Sequence, residues 1–485
     1  MKKALCILLV LLMVGCTVRA EQTEGAPQSP IEDVVLDTTK PVAESEEPLQ
    51  GIWSEELISL MEQINAEHQA VEKVSLDGYE KYIQTELKNA TVTVAEPNED
   101  GGFSIAQAEA DLQYFFDYLR SNYGLYLYFG GDEAFSAARE AIIHQVREEE
   151  TLTVERFSEI LWENMRFIRD GHFSIDNRSL LGSLTPHFFI EIPFHKTENG
   201  YQTEDGKLVI AVDGYDDLDL LFKRSLSREG DIVYYPVVMM EHLNGMSACP
   251  PLQLTYEDAS TQLLFAEPYQ RLETDITESE VTRMSTVEGI KSFASIGCYM
   301  KRFSEAAKEL KTEPTSIVDL RFNRGGNYTT LSEWFVNYTD RQVPAHCICI
   351  GAKIPDGNGY SLQGYMELEK GKALYADPDD FVNNDNLLVV LTSKRSASGA
   401  ELFVDMTHNL ENTLIIGENT AGCLQGTGGM VLTLPNSRLK FSCGIAVNLW
   451  PDDYFVEGYG LEPDLWCPAV YAEEAAINFL KKNLQ

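Results

Sequence analysis

The chain has 485 residues, and its 76 acidic side chains against 38 basic ones give a formal charge of −38. Apolar residues make up 44% and aromatic residues 10%, enough to build packed cores and too much for a largely disordered chain, and the length calls for two or three domains. So acidic a surface repels phosphate backbones and anionic lipid head groups, which argues against nucleic acid as a partner and leaves covalent or hydrophobic attachment as the route to a membrane.

Lys2 and Lys3 precede an apolar run from Ala4 to Val14. As a helix that run spans about 16 Å, roughly half of a ~30 Å hydrocarbon core, so it predicts a signal peptide over residues 1–15 rather than a membrane span. It ends Leu12-Met13-Val14-Gly15-Cys16, which resembles the lipobox of bacterial lipoproteins, with Met13 where leucine is preferred. The resemblance implies cleavage before Cys16, a lipid on its thiol, and a protein held outside the cytoplasm on a membrane of the bacterial cell envelope. The rest of 16–50 is rich in Glu, Thr, Pro and Ser, without apolar periodicity, and predicts a flexible acidic tether.

From Trp53 the spacing turns helical, with Leu57, Leu60, Met61 and Ile64 on one face. Further helices are expected over 108–119 and 133–147, and after Thr153 as N-cap, where Phe157, Ile160, Leu161 and Met165 align. These define a helical domain over 51–175. Short β-rich runs beginning at Phe188, Lys207, Asp231 and Gln262, separated by turn residues, predict a small β-rich domain over 176–284. Over 285–485 strands (315–320, 386–392, 413–417) alternate with helices (303–310, 331–338, 398–409, closing with 472–482), which predicts an α/β core around a buried sheet. Apart from Cys6 and Cys16 there are seven cysteines, an odd number with no Cys-x-x-Cys pair, so free and mostly buried thiols are expected and no zinc cage.

Four segments carry candidate chemistry. Ser393-Lys-Arg-Ser-Ala-Ser-Gly-Ala-Glu ends a strand and opens a helix. Ser398 there stands among unpaired N–H groups at the positive end of the dipole, where a developing negative charge is stabilised. Ser398-x-x-Glu401 is equally a capping box, and Ser396 could cap while Ser398 reacts. Ile317-Val-Asp-Leu-Arg-Phe-Asn-Arg-Gly-Gly runs from a strand into a turn whose glycine pair, Gly325 and Gly326, permits positive φ and close backbone approach. The lysine and glycine spacing of a phosphate loop are absent. Arg169-Asp-Gly-His places His172 between a helix and a β-like run; taken alone it could as well be structural. Glu457-Gly-Tyr-Gly-Leu-Glu-Pro-Asp offers a carboxylate that could orient an imidazole, or one that is merely solvated.

In this order, D-L-R-F-N-R-G-G, S-A-S-G-A-E, I-I-G-E-N-T-A-G and E-G-Y-G-L-E-P-D resemble the C-terminal processing peptidase and tricorn protease family over about residues 285–470, and R-D-G-H is similar to its tricorn-like branch. The resemblance implies a serine peptidase on a crotonase-like/ClpP-like α/β core, acting on a peptide or protein substrate and needing neither a metal nor another cofactor. It implies Ser398 as nucleophile, the N–H groups of Gly399 and Gly326 as oxyanion hole with Gly325 shaping the turn, and His172 with Glu457 as the base and its carboxylate. Two positions depart from the pattern. Cys423 stands where one branch has a lysine, and Gly171 stands where the tricorn pattern has a serine. The same fold also serves retinoid-binding proteins, so a non-catalytic peptide- or ligand-binding protein is the alternative. A third reading, Cys423 as nucleophile, lacks an identifiable base. No motif sets an oligomeric state.

Overall fold

The structure is a computed structural model. It describes residues 52–72, 74, 90–182, 184–189, 192–241, 249–267, 269–270, 272–273, 282–351 and 381–484, with the backbone of Val34 and Val35. The expected signal peptide, Cys16 and nearly all of the tether lie outside the described residues.

Three helices form a layer of their own. Ile105–Asn122 starts at a capping box between Ser104 and Gln107 and buries Ala108, Leu112, Phe115 and Leu119, one face at i, i+4, i+7 and i+11. Gly131–Glu148 buries Phe135, Ala138, Ile142 and Val146. Val154–Asn164 is capped by Thr153, whose side chain accepts from Arg156 N, and buries Phe157, Ile160 and Leu161. Their shared core also takes in Phe173, Ile175, Phe441, Cys443, Val447 and Leu449. The helical layer is therefore welded to late strands of the chain. Buried Asp111 reinforces the join, accepting from the backbone N and side chains of Asn436 and Ser437 at 2.5–2.8 Å.

Among the described residues, an eleven-stranded sheet forms the second part. Its centre is parallel, in the order Ile290–Ala294, Thr315–Asp319, Leu387–Thr392, Thr413–Gly417, Leu465–Trp466. Thr315–Asp319, Leu387–Thr392 and Thr413–Gly417 are buried throughout, as helices on both faces require. Side chains alternate between the two layers. Val318, Leu388 and Val390 meet Phe303, Leu331, Trp334 and Phe403 from the helices Lys301–Leu310, Tyr328–Thr339 and Gly399–Thr407. Ile317, Leu387, Val389 and Leu391 face the helices Glu55–Gln69 and Ala472–Asn483.

The sequence grouped the helix Glu55–Gln69 with the other N-terminal helices, but it packs on the sheet. Leu57, Leu60, Met61 and Ile64 bury against the sheet's outer face, and Ser54 clasps the C-terminal helix through Asn483. The β-rich region is likewise divided. Phe222–Leu226 pairs with Leu465–Trp466, so that strand and Ile232–Glu241 extend the large sheet. Val209–Val212, Leu252–Tyr256 and Thr261–Leu264 form a separate three-stranded sheet.

Candidate active site

The buried strand Leu387–Thr392, apolar up to its last residue, ends in a tight turn. Ser396, fully buried, donates to Leu320 O at 2.8 Å and accepts from Ser393 N, so it locks the turn to the neighbouring strand and does not cap the helix. Ala397 N donates to Asn323 O. Ser398 follows at φ 54°, ψ −117°, a conformation that costs a non-glycine residue about 1–3 kcal/mol and survives only where its surroundings impose it. Here the imposing group is Glu401, whose Oε2 accepts from Ser398 N at 2.8 Å. The helix Gly399–Thr407 begins at the next residue. Ser398 is thus presented half-buried at a helix start, on a strained elbow.

The glycine pair abuts this elbow. Gly325 has φ +108°, open only to glycine without strain, and a Cβ there would lie 2.9 Å from Ser398 Cβ and from Gly399 N. A Cβ on Gly399 would lie 2.5 Å from Gly326 N. Pairing with Cys298 uses Gly325 O and Asn327 N, so that bridge leaves the Gly326 N–H unused. The Gly399 N–H is one of the four at a helix start without an intrahelical acceptor. Two backbone donors therefore meet beside Ser398.

His172 arrives from the helical layer. Asp170 Oδ1 accepts from His172 N at 2.9 Å, forming a local turn, and the following Ser174–Ile175 pairs with Lys440–Cys443. Ser442 donates to His172 O at 3.0 Å. The imidazole Nε2 lies 3.2 Å from Ser398 Oγ, bringing together two residues 226 positions apart. The ring is 19% exposed, so a substrate can reach it. Burial holds it below its ordinary value of 6.5, with Asp170 opposing, which leaves it neutral at neutral pH and able to accept a proton.

Glu457, expected to orient the imidazole, makes no hydrogen bond or ion pair with the ring. Its Oε1 accepts from Gly171 N at 2.8 Å, and its Oε2 accepts from Leu424 N and Gln425 N at 3.1 and 2.7 Å. The acid closest to the ring is Asp170, with Oδ1 4.0 Å from Nδ1. Asp170 also accepts from Tyr123 OH at 3.0 Å; burial raises its carboxyl, while His172 and Tyr123 draw it down. Nearer still to Nδ1 is the Cys423 sulfur, at 3.6 Å.

Glu401 also does more than cap. Besides Ser398 N, it accepts from Cys423 N at 2.8 Å, and from Gly422 N and Thr420 Oγ1 at 2.7 Å. Four successive amides, 422 to 425, are thus divided between two carboxylates, Glu401 fully buried and Glu457 partly so. Glu401 belongs to the helix that starts beside Ser398, and Glu457 also holds the histidine turn. Burial raises both carboxyls; for Glu457 the charges of Asp170 and Glu401 add to it. Lys394 braces the same loops, its Nζ donating to the carbonyls of Thr420, Ala421, Gly458 and Tyr459 at 2.6–3.3 Å.

The family model for Peptidase family S41 matches residues 289–466. Over that segment the chain is similar to peptidase family S41, a family of serine peptidases. The S41 segment contains Ser398, both glycines of the pair and Glu457; His172 comes from outside it. Among solved structures, mature CPAF aligns at 14% identity, 78% of this chain covering 97% of that one, with a TM-score of 0.45. The photosystem II D1 C-terminal processing protease aligns at 14% identity over 75% and 93% of the two chains (TM-score 0.36). The tricorn protease aligns at 15% over 76% and 35% (TM-score 0.32).

Sequence reasoning quoted Asp170 and Lys394 without giving them roles, and saw Glu401 only as a cap. The D-x-H spacing was a usable signal for Asp170, since an Asp accepting from the N–H two residues on is a common local turn. No local signal existed for Lys394, whose acceptors lie 26–65 residues away. None of the seven described cysteines is in a disulfide, and five of them are buried. Among the described residues no group of three or more His, Cys, Asp or Glu is placed to hold a metal ion, and no helix is long and apolar enough to cross a membrane.

Proposed function

We propose that this peptidase works outside the cytoplasm, anchored by a lipid on Cys16, and cleaves peptide bonds with Ser398 as nucleophile and His172 as general base. The observation that carries the catalytic part is the 3.2 Å approach of His172 Nε2 to Ser398 Oγ on the strained elbow. That distance is within reach for proton transfer in an unliganded site.

Neutral His172 takes the Ser398 proton as Oγ attacks the substrate carbonyl. The N–H groups of Gly399 and Gly326 receive the oxyanion, each such donor being worth ~10²–10³ in rate. Asp170 supplies the negative charge that faces the imidazolium. Glu457 contributes by tying the His172 turn to the 424–425 amides. His172 then protonates the leaving amine, and water attacks the acyl-enzyme under the same base. The substrate is a peptide or protein segment able to enter beside Ser398.

A fluorophosphonate probe should label the full chain once, and Ser398→Ala should abolish the label. Labelling that persists in that variant, or none in folded wild-type protein, overturns the assignment. The anchor rests on Leu12-Met13-Val14-Gly15-Cys16. Cys16→Ser should release the protein from the membrane fraction, and unchanged partitioning would remove that part of the proposal.

A further inference from the structure

For His172 Nε2 to accept the Ser398 proton, the ring's hydrogen must sit on Nδ1, and something must hold it there. The groups facing Nδ1 are few. Asp170 Oδ1 is 4.0 Å away, too far for a hydrogen bond, and is already taken by His172 N. Both Glu457 oxygens are engaged by backbone amides. Cys423 Sγ is 3.6 Å away, a normal separation for the long bonds that sulfur accepts.

The thiol also has a second neighbour. A Cβ placed on Gly171 would lie 2.3 Å from Cys423 Sγ and 2.8 Å from its Cβ. The sulfur thus fills the volume that any side chain at 171 would need. Its backbone is fixed as well, with Cys423 N held by buried Glu401 and the preceding Gly422 at φ +73°.

We propose that Cys423 is the positioning residue of the catalytic histidine: its sulfur accepts the Nδ1–H of His172, and position 171 is glycine because that sulfur occupies the space beside it. The proposal rests on the Ser398–His172 reading and deepens it. It also accounts for both departures from the family pattern with one contact. No covalent step at sulfur is involved, so Cys423 acts through His172 and does not itself attack substrate.

Two measurements on the full chain test it. The first is the tautomer of His172, read by ¹⁵N–¹H NMR of protein labelled at histidine and assigned with a His172→Gln control. Wild-type protein should carry the proton on Nδ1. Cys423→Ala should give a mixture of tautomers, and Cys423→Ser, which restores an acceptor, should return it to Nδ1. This readout does not require activity, so it separates failure of the positioning role from failure of the peptidase reading, which the Ser398→Ala labelling tests.

The second is hydrolysis of fluorescein-labelled casein. Cys423→Ala should lower kcat on the order of 10–100-fold with KM little changed, by analogy with the loss of the partner that orients a metal-bound histidine, and Cys423→Ser should recover most of it. Gly171→Ala should be severely impaired because its methyl meets the sulfur, and adding Cys423→Ala should bring it back to the level of Cys423→Ala alone, a strong departure from additivity. An unchanged tautomer and unchanged kcat in Cys423→Ala would overturn the proposal. So would a double variant whose losses simply add.

Discussion

Ser398 and the glycine pair that faces it are held by one stretch of sheet, whereas His172 is carried in by the helical layer. On the Ser398 side the constraints run between adjacent strand ends: Ser396 Oγ to Leu320 O, Ser393 Oγ to Arg321 O, Ala397 N to Asn323 O. On the histidine side each constraint comes from a different element: Tyr123 through Asp170, Ser442 to the His172 carbonyl, Glu457 to Gly171. The first half is a rigid consequence of parallel pairing. The second is a tertiary product, and damage to any of its supports should appear as misplacement of a ring rather than as loss of a fold.

The largest effect is expected on the rigid side. Gly325→Ala puts a methyl 2.9 Å from Ser398 Cβ and Gly399 N, at φ +108°. The backbone must shift, and with it the Gly326 N–H. Under the proposed role of the Gly326 N–H as an oxyanion donor, its loss implies a fall in kcat of ~10²–10³ with KM nearly unchanged. Steady-state kinetics on labelled casein check this; a change confined to KM would mean that the glycine pair binds substrate rather than the oxyanion.

That contrast also explains what could be seen in advance. The strand at 413–417 and the helix at 472–483 were legible from apolar runs and spacing, as were Ser398 and the glycine pair, because each is encoded within about ten residues. The placement of the helix Glu55–Gln69 was not, since its apolar face fits any core and only contact with Leu387, Leu414 and Leu480 decides which one. Nor was the continuity of Phe222–Leu226 with the large sheet, which hangs on a short pairing of Ser225 with Trp466. Glu457 was found by motif but misjudged in role, because the sequence shows a carboxylate without showing that three amides consume it.

The loop 422–425 joins the two sides, and its two carboxylates are not equivalent. Both Glu401 oxygens accept two hydrogen bonds each, so Glu401→Gln must turn an amide N–H₂ toward two buried donors. With each unsatisfied buried group costing ~1–3 kcal/mol, that substitution should remove about 2–6 kcal/mol of stability. Glu457 has one oxygen with a single partner, Gly171 N, and burial, with the charges of Asp170 and Glu401 adding to it, favours its neutral form. Glu457→Gln should therefore cost markedly less stability. Thermal unfolding of the pair at pH 7 checks the order, and a reversal would place the structural weight of the seam on the histidine side.

Asp170→Asn gives the smallest and most diagnostic effect, because it alters the field at His172 while leaving an oxygen to accept the turn's N–H. In the wild type, burial lowers the imidazole and Asp170 raises it. Removing the charge therefore lowers the imidazole further. The base is active when neutral, so kcat/KM should rise with pH through the imidazole's titration and level off above it. In Asp170→Asn that acid limb should move to lower pH, while the plateau falls about 10-fold because the imidazolium formed in the transition state has lost its counter-charge. A limb that stays in place would show that Asp170 is only a structural support of the turn. A limb that moves to higher pH would point to a different acid, with Glu457 the first to examine, as the charge His172 feels.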